Sequence, residues 1–327
     1  MEFTNYMKKS VQDFLGEEIN VSVKEVTKNN GVVLVGLLFE SPKLNISPTI
    51  YLNPYYEAYM DGKKEGEIVR EISDVYEKSK MEKNINIEFF LDFEKMKKKI
   101  AYKLINFEKN QQLLKNIPHI QFLDLAIVFY CQLQHSVLGN ASILIDNSHL
   151  KNWEVTETEL YEAAKENTPS LMPVEIKSME EIVKELFAEQ LSRNFRHAIK
   201  HGSTGADIAL KEEWTEELAE TMLLDVPGSF GETAMYVLGN KKRMHGAVCI
   251  LYKDVLKEVA EQFETSLFVL PSSVHEVILL PDDGHSGIEQ LQKMVKEVNA
   301  TQVEAEEILS DNVYRFERET GQISIAI

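Results

Sequence analysis

Cysteine, basic side chains and long apolar runs are all scarce in this chain of 327 residues. Only Cys131 and Cys249 occur, each inside an apolar run, FYCQL and AVCIL. Two thiols so placed read as reduced, buried small hydrophobes rather than a disulfide framework, and a reducing cytoplasm is the simplest setting. No apolar stretch reaches the roughly 18 residues a spanning helix needs. The opening MEFTNYMKKSVQDFLGEE has charges on both sides of its apolar residues, so it does not read as a signal peptide. Against 53 acidic side chains stand 35 Lys and Arg, a net charge of −18. Phosphate affinity comes mainly from clustered Lys and Arg, so duplex nucleic acid is not an expected ligand. Attachment to an anionic membrane is disfavoured for the same reason.

The familiar catalytic signatures are missing too. There is no G-x-x-x-x-G-K-[ST] phosphate loop, no G-x-G-x-x-G, no G-x-S-x-G elbow, no C-x-x-C and no H-E-x-x-H. Each of these chemistries needs its geometry: stacked backbone N–H groups for phosphate, or two ligands on one helical face for zinc. No cofactor is therefore expected.

What is present is a charge asymmetry. Residues 1–150 hold 18 Lys/Arg and 20 Asp/Glu; residues 151–327 hold 17 and 33, a net of −16. The pattern of apolar residues divides the chain into helices and hairpins. Residues 3–16 predict a helix stopped at Gly16. NVSVKEV and GVVLVGLLFE predict a hairpin around Asn30-Gly31, followed by a strand at 49–53. Helices are expected at 54–62, at 65–80 and at 92–109, the last carrying Lys95, Lys97, Lys98, Lys99 and Lys103 as a solvated face. Residues 117–133 read as a strand buried on both faces or a core hairpin arm, paired with 140–153 across Gly139. Capping boxes at Thr156/Glu159, Ser178/Glu181 and Ser286/Glu289 predict helix starts, with Pro169 and Pro173 ending the first of these helices. Acidic helix 211–223 follows. Strands are expected at 234–240, 246–252, 266–271 and 275–281, then a closing hairpin of VYRFER and GQISIAI. The fold class expected is α+β: an N-terminal helix plus a hairpin or three-stranded sheet with helices, then a larger mixed antiparallel sheet with flanking helices. A domain boundary is placed between 1–116 and 117–327, the alternative being one continuous unit.

Three groups of residues bear on chemistry. Ser273 and His275, between two strands, would share a face if extended, and with Asp282 or Asp283 would form a hydrolytic site. The competing reading is that the serine satisfies turn backbone and His275 starts a strand. His197 and His201 stand at i and i+4 of one helix and would serve as metal ligands, but no third ligand is evident, and cations at a helix C-terminus also complement its dipole. Asp225, Gly228 and Ser229 lie in a Pro-Gly loop that would suit a ligand, or serve as a plain connection.

The stretch MYVLGNKKRMHGAVCILYKDVLKEVAEQFETSLFVLPSSVHEVILLP (235–281) resembles the family grouped as domain of unknown function 5688, found mostly in gut clostridia and often in mobile genetic elements. NNGVVLVGLLF, NISPTIYLNPYYEAYMDG, the Ala-x-x-Asn-Thr-Pro run at 164–169 and ILSDNVYRF (308–316) extend the likeness over nearly the whole chain. Residues 122–167 carry a more distant likeness to the domain of unknown function 1444 type. The resemblance implies a bacterial intracellular protein and supplies no catalytic residue. The expectation is a cytoplasmic, non-enzymatic binding or accessory protein, of a mobile element on that resemblance. It would engage a basic protein partner through an acidic C-terminal surface. The alternatives are a hydrolase using Ser273 and His275, and an inhibitor that mimics nucleic-acid charge.

Overall fold

The computed structural model describes residues 2–42, 47–79, 88–135, 139–185, 235–284 and 287–327. The fold is α+β, with antiparallel sheets and helices. The chain forms two compact units that interleave along the sequence. One comprises residues 1–101, 107–119 and 129–164; the other comprises 102–106, 120–128 and 165–327. The strands described below at Ile100–Asn106 and Leu125–His135 each contribute residues to both units.

The N-terminal unit begins with α1 (Glu2–Leu15), β1 (Asn20–Thr27), β2 (Val33–Glu40), β3 (Thr49–Tyr51), α2 (Asn53–Met60) and α3 (Glu65–Ser79). The β1–β2 hairpin turns at Asn30 and Gly31, both at positive φ (59° and 71°), as that dipeptide allows. Met7 and Val11 of α1, one turn apart, face the sheet with Ile68, Ile72 and Tyr76 of α3. Tyr76 stacks on Phe39 of β2 at 4.6 Å. Each such buried side chain contributes about 2 kcal/mol, so this stripe, not helix propensity, holds α1 and α3 in place. Gln12 ties the helix end to the sheet: its amide donates to the Gly16 and Ile19 carbonyls and its oxygen accepts from Val21 N.

Next come α4 (Phe93–Lys97), β4 (Ile100–Asn106), α5 (Gln111–Leu114), β5 (His119–Phe122), β6 (Leu125–His135), β7 (Gly139–Leu144), α6 (Asn147–Trp153) and α7 (Glu157–Leu171). The single helix expected over 92–109 is therefore wrong. Its lysines suggested one solvated face, yet Ile100, Ala101, Tyr102, Leu104 and Ile105 are all buried, and a segment buried on both faces is stable as a central strand. The expected strand and its partner across Gly139 are found as β6 and β7. Thr156 and Glu159 cap α7 reciprocally, at 2.8 and 3.2 Å. Pro169 does not stop α7, which continues to Leu171. Near the end a proline removes only one ladder bond; the Thr168 oxygen accepts from Met172 N at 2.8 Å, and the Tyr252 hydroxyl donates to the Met172 oxygen at 3.0 Å.

The second unit is built on a six-stranded sheet containing β8 (Val174–Ser178), β9 (Tyr236–Asn240), β10 (Leu267–Leu270), β11 (Val277–Pro281), β12 (Tyr314–Glu317) and β13 (Gln322–Ile325), in the order β13-β12-β10-β11-β9-β8. Two helices, α8 (Val255–Gln262) and α9 (Ile288–Thr301), accompany it, and residues 179–185 are helical behind a Ser178/Glu181 capping box. Gly287, not Ser286, stands at the cap of α9; Ser286 lies outside the described residues. Residues 246–252 are not a strand: Gly246–Leu251 forms a buried 3-10 turn. A Cβ on Gly246 would sit 2.3 Å from the His275 oxygen and 2.8 Å from Asn240 N, so the chain passes there only as glycine.

The closing segment is held by Asp124. Its carboxylate accepts from the hydroxyls of Ser310 and Tyr314 (2.5 and 2.6 Å) and from the Asn312 amide (3.0 Å). Ser310 and Tyr314 are fully buried, and burial followed by the Asp124 charge pushes the Tyr314 phenol far up. Cys131 and Cys249 are free and buried, as expected, and burial pushes both thiols up to about 12. No helix among the described residues is long and apolar enough to cross a membrane.

Candidate functional site

Sheet register sets up the site in the second unit. Lys177 of β8 lies opposite Val237 of β9, and Val237 opposite Ile278 of β11, so the three form one row across one face. Glu175 and Gly239 form the next row. Farther along that face, Leu280, Phe268 and Leu270 pack with Leu291 and Val295 of α9. The opposite face carries Leu238, Val277 and Leu279, all fully buried. The near end of the first face is left with a cavity of about 350 Å³, overhung by Met179, Ile182 and Glu185 and closed by Asn240, Arg243, Ser272, His275 and Glu276.

Most of the charge in this cavity is answered internally. Glu185 accepts from Lys177 at 2.6 and 2.9 Å and from Arg243 at 3.2 Å. The Glu185 bond raises the Lys177 pKa above its ordinary value, with Glu175 adding to it. Burial raises the Glu276 carboxyl, and Glu307 pushes in the same direction. His275 and the Ser273 hydroxyl pull the Glu276 value back down. The loop that aims these groups is strained: Arg243 and His245 both have positive φ (52° and 53°). Asn240 stabilises the loop, its oxygen accepting from Lys242 N and its amide donating to the Met244 oxygen.

Ser273 and His275 come close, through the backbone of the histidine rather than its ring. The Ser273 hydroxyl accepts from His275 N at 3.0 Å and bonds the Glu276 carboxyl; it makes no bond to the imidazole. The imidazole Nδ1 accepts from His245 N at 3.3 Å, so the ring proton sits on Nε2, 3.2 Å from Glu307. A general base must instead offer a free nitrogen to the hydroxyl it deprotonates. Ser273 forms an isolated antiparallel bridge with Ile308, and His275 precedes β11 rather than beginning it. Asp282 is committed elsewhere, to the Arg315 guanidinium at 2.9 and 3.0 Å. Asp283 is in the loop after β11.

The imidazoles of His245 and His275 stack at 5.8 Å. Burial, then Lys103 and His275, lower His245 to about 3, so its ring is neutral. No group of three or more metal-binding side chains occurs among the described residues. His197, His201, Asp225, Gly228 and Ser229 lie outside the described residues. Sequence reasoning missed His245, Glu276 and Glu307 as neighbours of His275, and Lys177, Glu185 and Arg243 as residues lining the same cavity. The one local signal was the MHG step before an apolar run.

With this geometry in view, comparison with known proteins adds one finding. The profile of the Family of unknown function (DUF5688) matches residues 1–318. The chain belongs to that family. Two of the motifs that suggested the DUF5688 likeness are now explained as framework. ILSDNVYRF supplies the three donors to Asp124, and the run at 164–169 supplies Thr168, whose buried hydroxyl accepts from Tyr102 N. No curated protein and no solved structure matches the chain.

Proposed function

We propose that this DUF5688 member is a cytoplasmic, non-enzymatic binding or accessory protein that engages a basic protein partner through the acidic surface of its C-terminal half. The observation that carries the non-enzymatic reading is the commitment of Ser273 and of both His275 nitrogens to other groups. The acidic exterior of α7 supports the partner class. Glu157, Glu162 and Glu166 are exposed there, opposite the buried Leu160, Ala163 and Ala164, and none of the three enters an ion pair among the described residues. Glu162 and Glu166 are one turn apart, a spacing at which like charges repel by a few tenths of a kcal/mol. A cationic partner relieves that repulsion and is drawn in faster by it.

Two measurements test the reading. Aryl-ester hydrolysis by the full chain should equal that of Ser273→Ala; hydrolysis that disappears in the variant would make the protein an enzyme. Binding of fluorescent poly-lysine should weaken with salt and fall in the Glu157→Gln/Glu162→Gln/Glu166→Gln variant. Unchanged binding in that variant removes α7 as the partner surface.

A further inference from the structure

The N-terminal unit holds a second, larger cavity of about 740 Å³. Phe3 and Tyr6 at the start of α1 and Tyr56 and Tyr59 of α2 form its aromatic wall, with Val35 and Leu52 beneath. Phe3 meets Tyr56 at 5.3 Å and 65°, and Tyr59 at 5.1 Å and 33°; Tyr56 and Tyr59 are 6.5 Å apart. The rings are inclined rather than sandwiched. Tyr6, Tyr56 and Tyr59 are 44%, 48% and 37% exposed, an unusual amount of open aromatic surface on adjoining helices.

The charge in this cavity has one sign. Glu2, Glu57 and Glu65 line it, no Lys or Arg does, and none of the three carboxylates forms an ion pair among the described residues. Aromatic faces are themselves electronegative, so rings and carboxylates favour the same guest. A hard metal ion would gain little from the rings. A lone ammonium would leave carboxylates unanswered and most of the volume empty. An extended segment carrying several basic side chains satisfies the volume, the rings and the carboxylates together.

We propose that this cavity docks a basic segment of a protein partner, one Lys or Arg side chain seated against Phe3, Tyr56 and Tyr59 and its neighbours paired with Glu2, Glu57 and Glu65. This site is separate from the acidic α7 surface proposed above, and it stands on different residues. The probe is the peptide acetyl-Gly-Arg-Gly-Lys-Gly-Arg-Gly-amide, titrated calorimetrically into the full chain. Its neutral counterpart carries citrulline and acetyl-lysine. The cationic peptide should bind and the neutral one should not. Tyr56→Ala/Tyr59→Ala should weaken binding about tenfold or more, while Tyr56→Phe/Tyr59→Phe, which keeps the rings, should stay within about threefold. Both tyrosines are exposed, and circular dichroism checks that each variant keeps its fold. Equal binding of the two peptides, no binding by the unmodified chain, or undiminished binding by the alanine variant would each overturn the proposal. If binding falls only in the α7 glutamine variant, the cavity is excluded and the α7 surface stands.

Discussion

The two cavities differ in how their carboxylates are answered. In the second unit's cavity Glu185 is held by Lys177 and Arg243, and Glu175 lies 3.6 Å from Lys177. In the N-terminal unit Glu2, Glu57 and Glu65 line a cavity with aromatic rings and without a cation. Charge answered within the fold serves that fold; charge left unanswered beside open aromatic surface is available to a partner. This difference separates residues whose loss should cost stability from residues whose loss should cost binding.

The largest effect is expected where a carboxylate is most fully used. Asp124→Ala leaves the buried hydroxyls of Ser310 and Tyr314 and the Asn312 amide without their acceptor. Urea unfolding should show a loss of about 3 kcal/mol; a loss below about 1 kcal/mol would mean that the cluster relaxes onto water.

His245 gives the next effect, through pH. Its folded-state value of about 3 lies below its ordinary 6.5, so below pH 6.5 the unfolded chain binds a proton that the folded chain does not. Its contribution is complete above pH 6.5 and shrinks as pH falls towards 3. Between pH 7 and pH 5 the unmodified protein should lose about 2 kcal/mol more than His245→Asn, in which this group cannot titrate. Asparagine tolerates the left-handed backbone found there, so the comparison does not add strain.

The two smallest effects oppose the cavities directly. Glu185→Gln removes the partner of Lys177 and Arg243 and should cost up to about 1 kcal/mol, since the pair is partly exposed and screened. Glu57→Gln should leave stability within about 0.5 kcal/mol of the unmodified chain. Its effect should appear instead as weaker, less salt-sensitive binding of the cationic peptide. If Glu57→Gln destabilises as much as Glu185→Gln, the contrast between the cavities fails.

Features encoded within a few residues were legible in the sequence. Asn30-Gly31 turns the first hairpin because both residues accept positive φ. The Thr156/Glu159 and Ser178/Glu181 capping boxes form as their spacing dictates. The errors came where burial decided. The lysines around 95–103 imitate an amphipathic helix, but apolar residues on both faces of Ile100–Asn106 make it a strand. The apolar run at 246–252 reads as a strand, but Gly246 must pass within a backbone's width of His275, and the chain coils there instead. Ser273 and His275 were legible as neighbours. Their roles were not, because His245 and Glu307, which occupy the imidazole, come from distant parts of the chain.

The sequence by itself determined the α+β class, the hairpins, the caps at Thr156 and Ser178, the free buried cysteines and the family. These depend on local backbone preference and on residue periodicity, which a linear string records. Only the tertiary structure decided which charges are answered. It brought Phe3 of one helix against Tyr56 and Tyr59 of another, and it gave the His275 imidazole His245 and Glu307 as partners. Contact between side chains remote in sequence is set by packing of whole elements, and no local pattern encodes it.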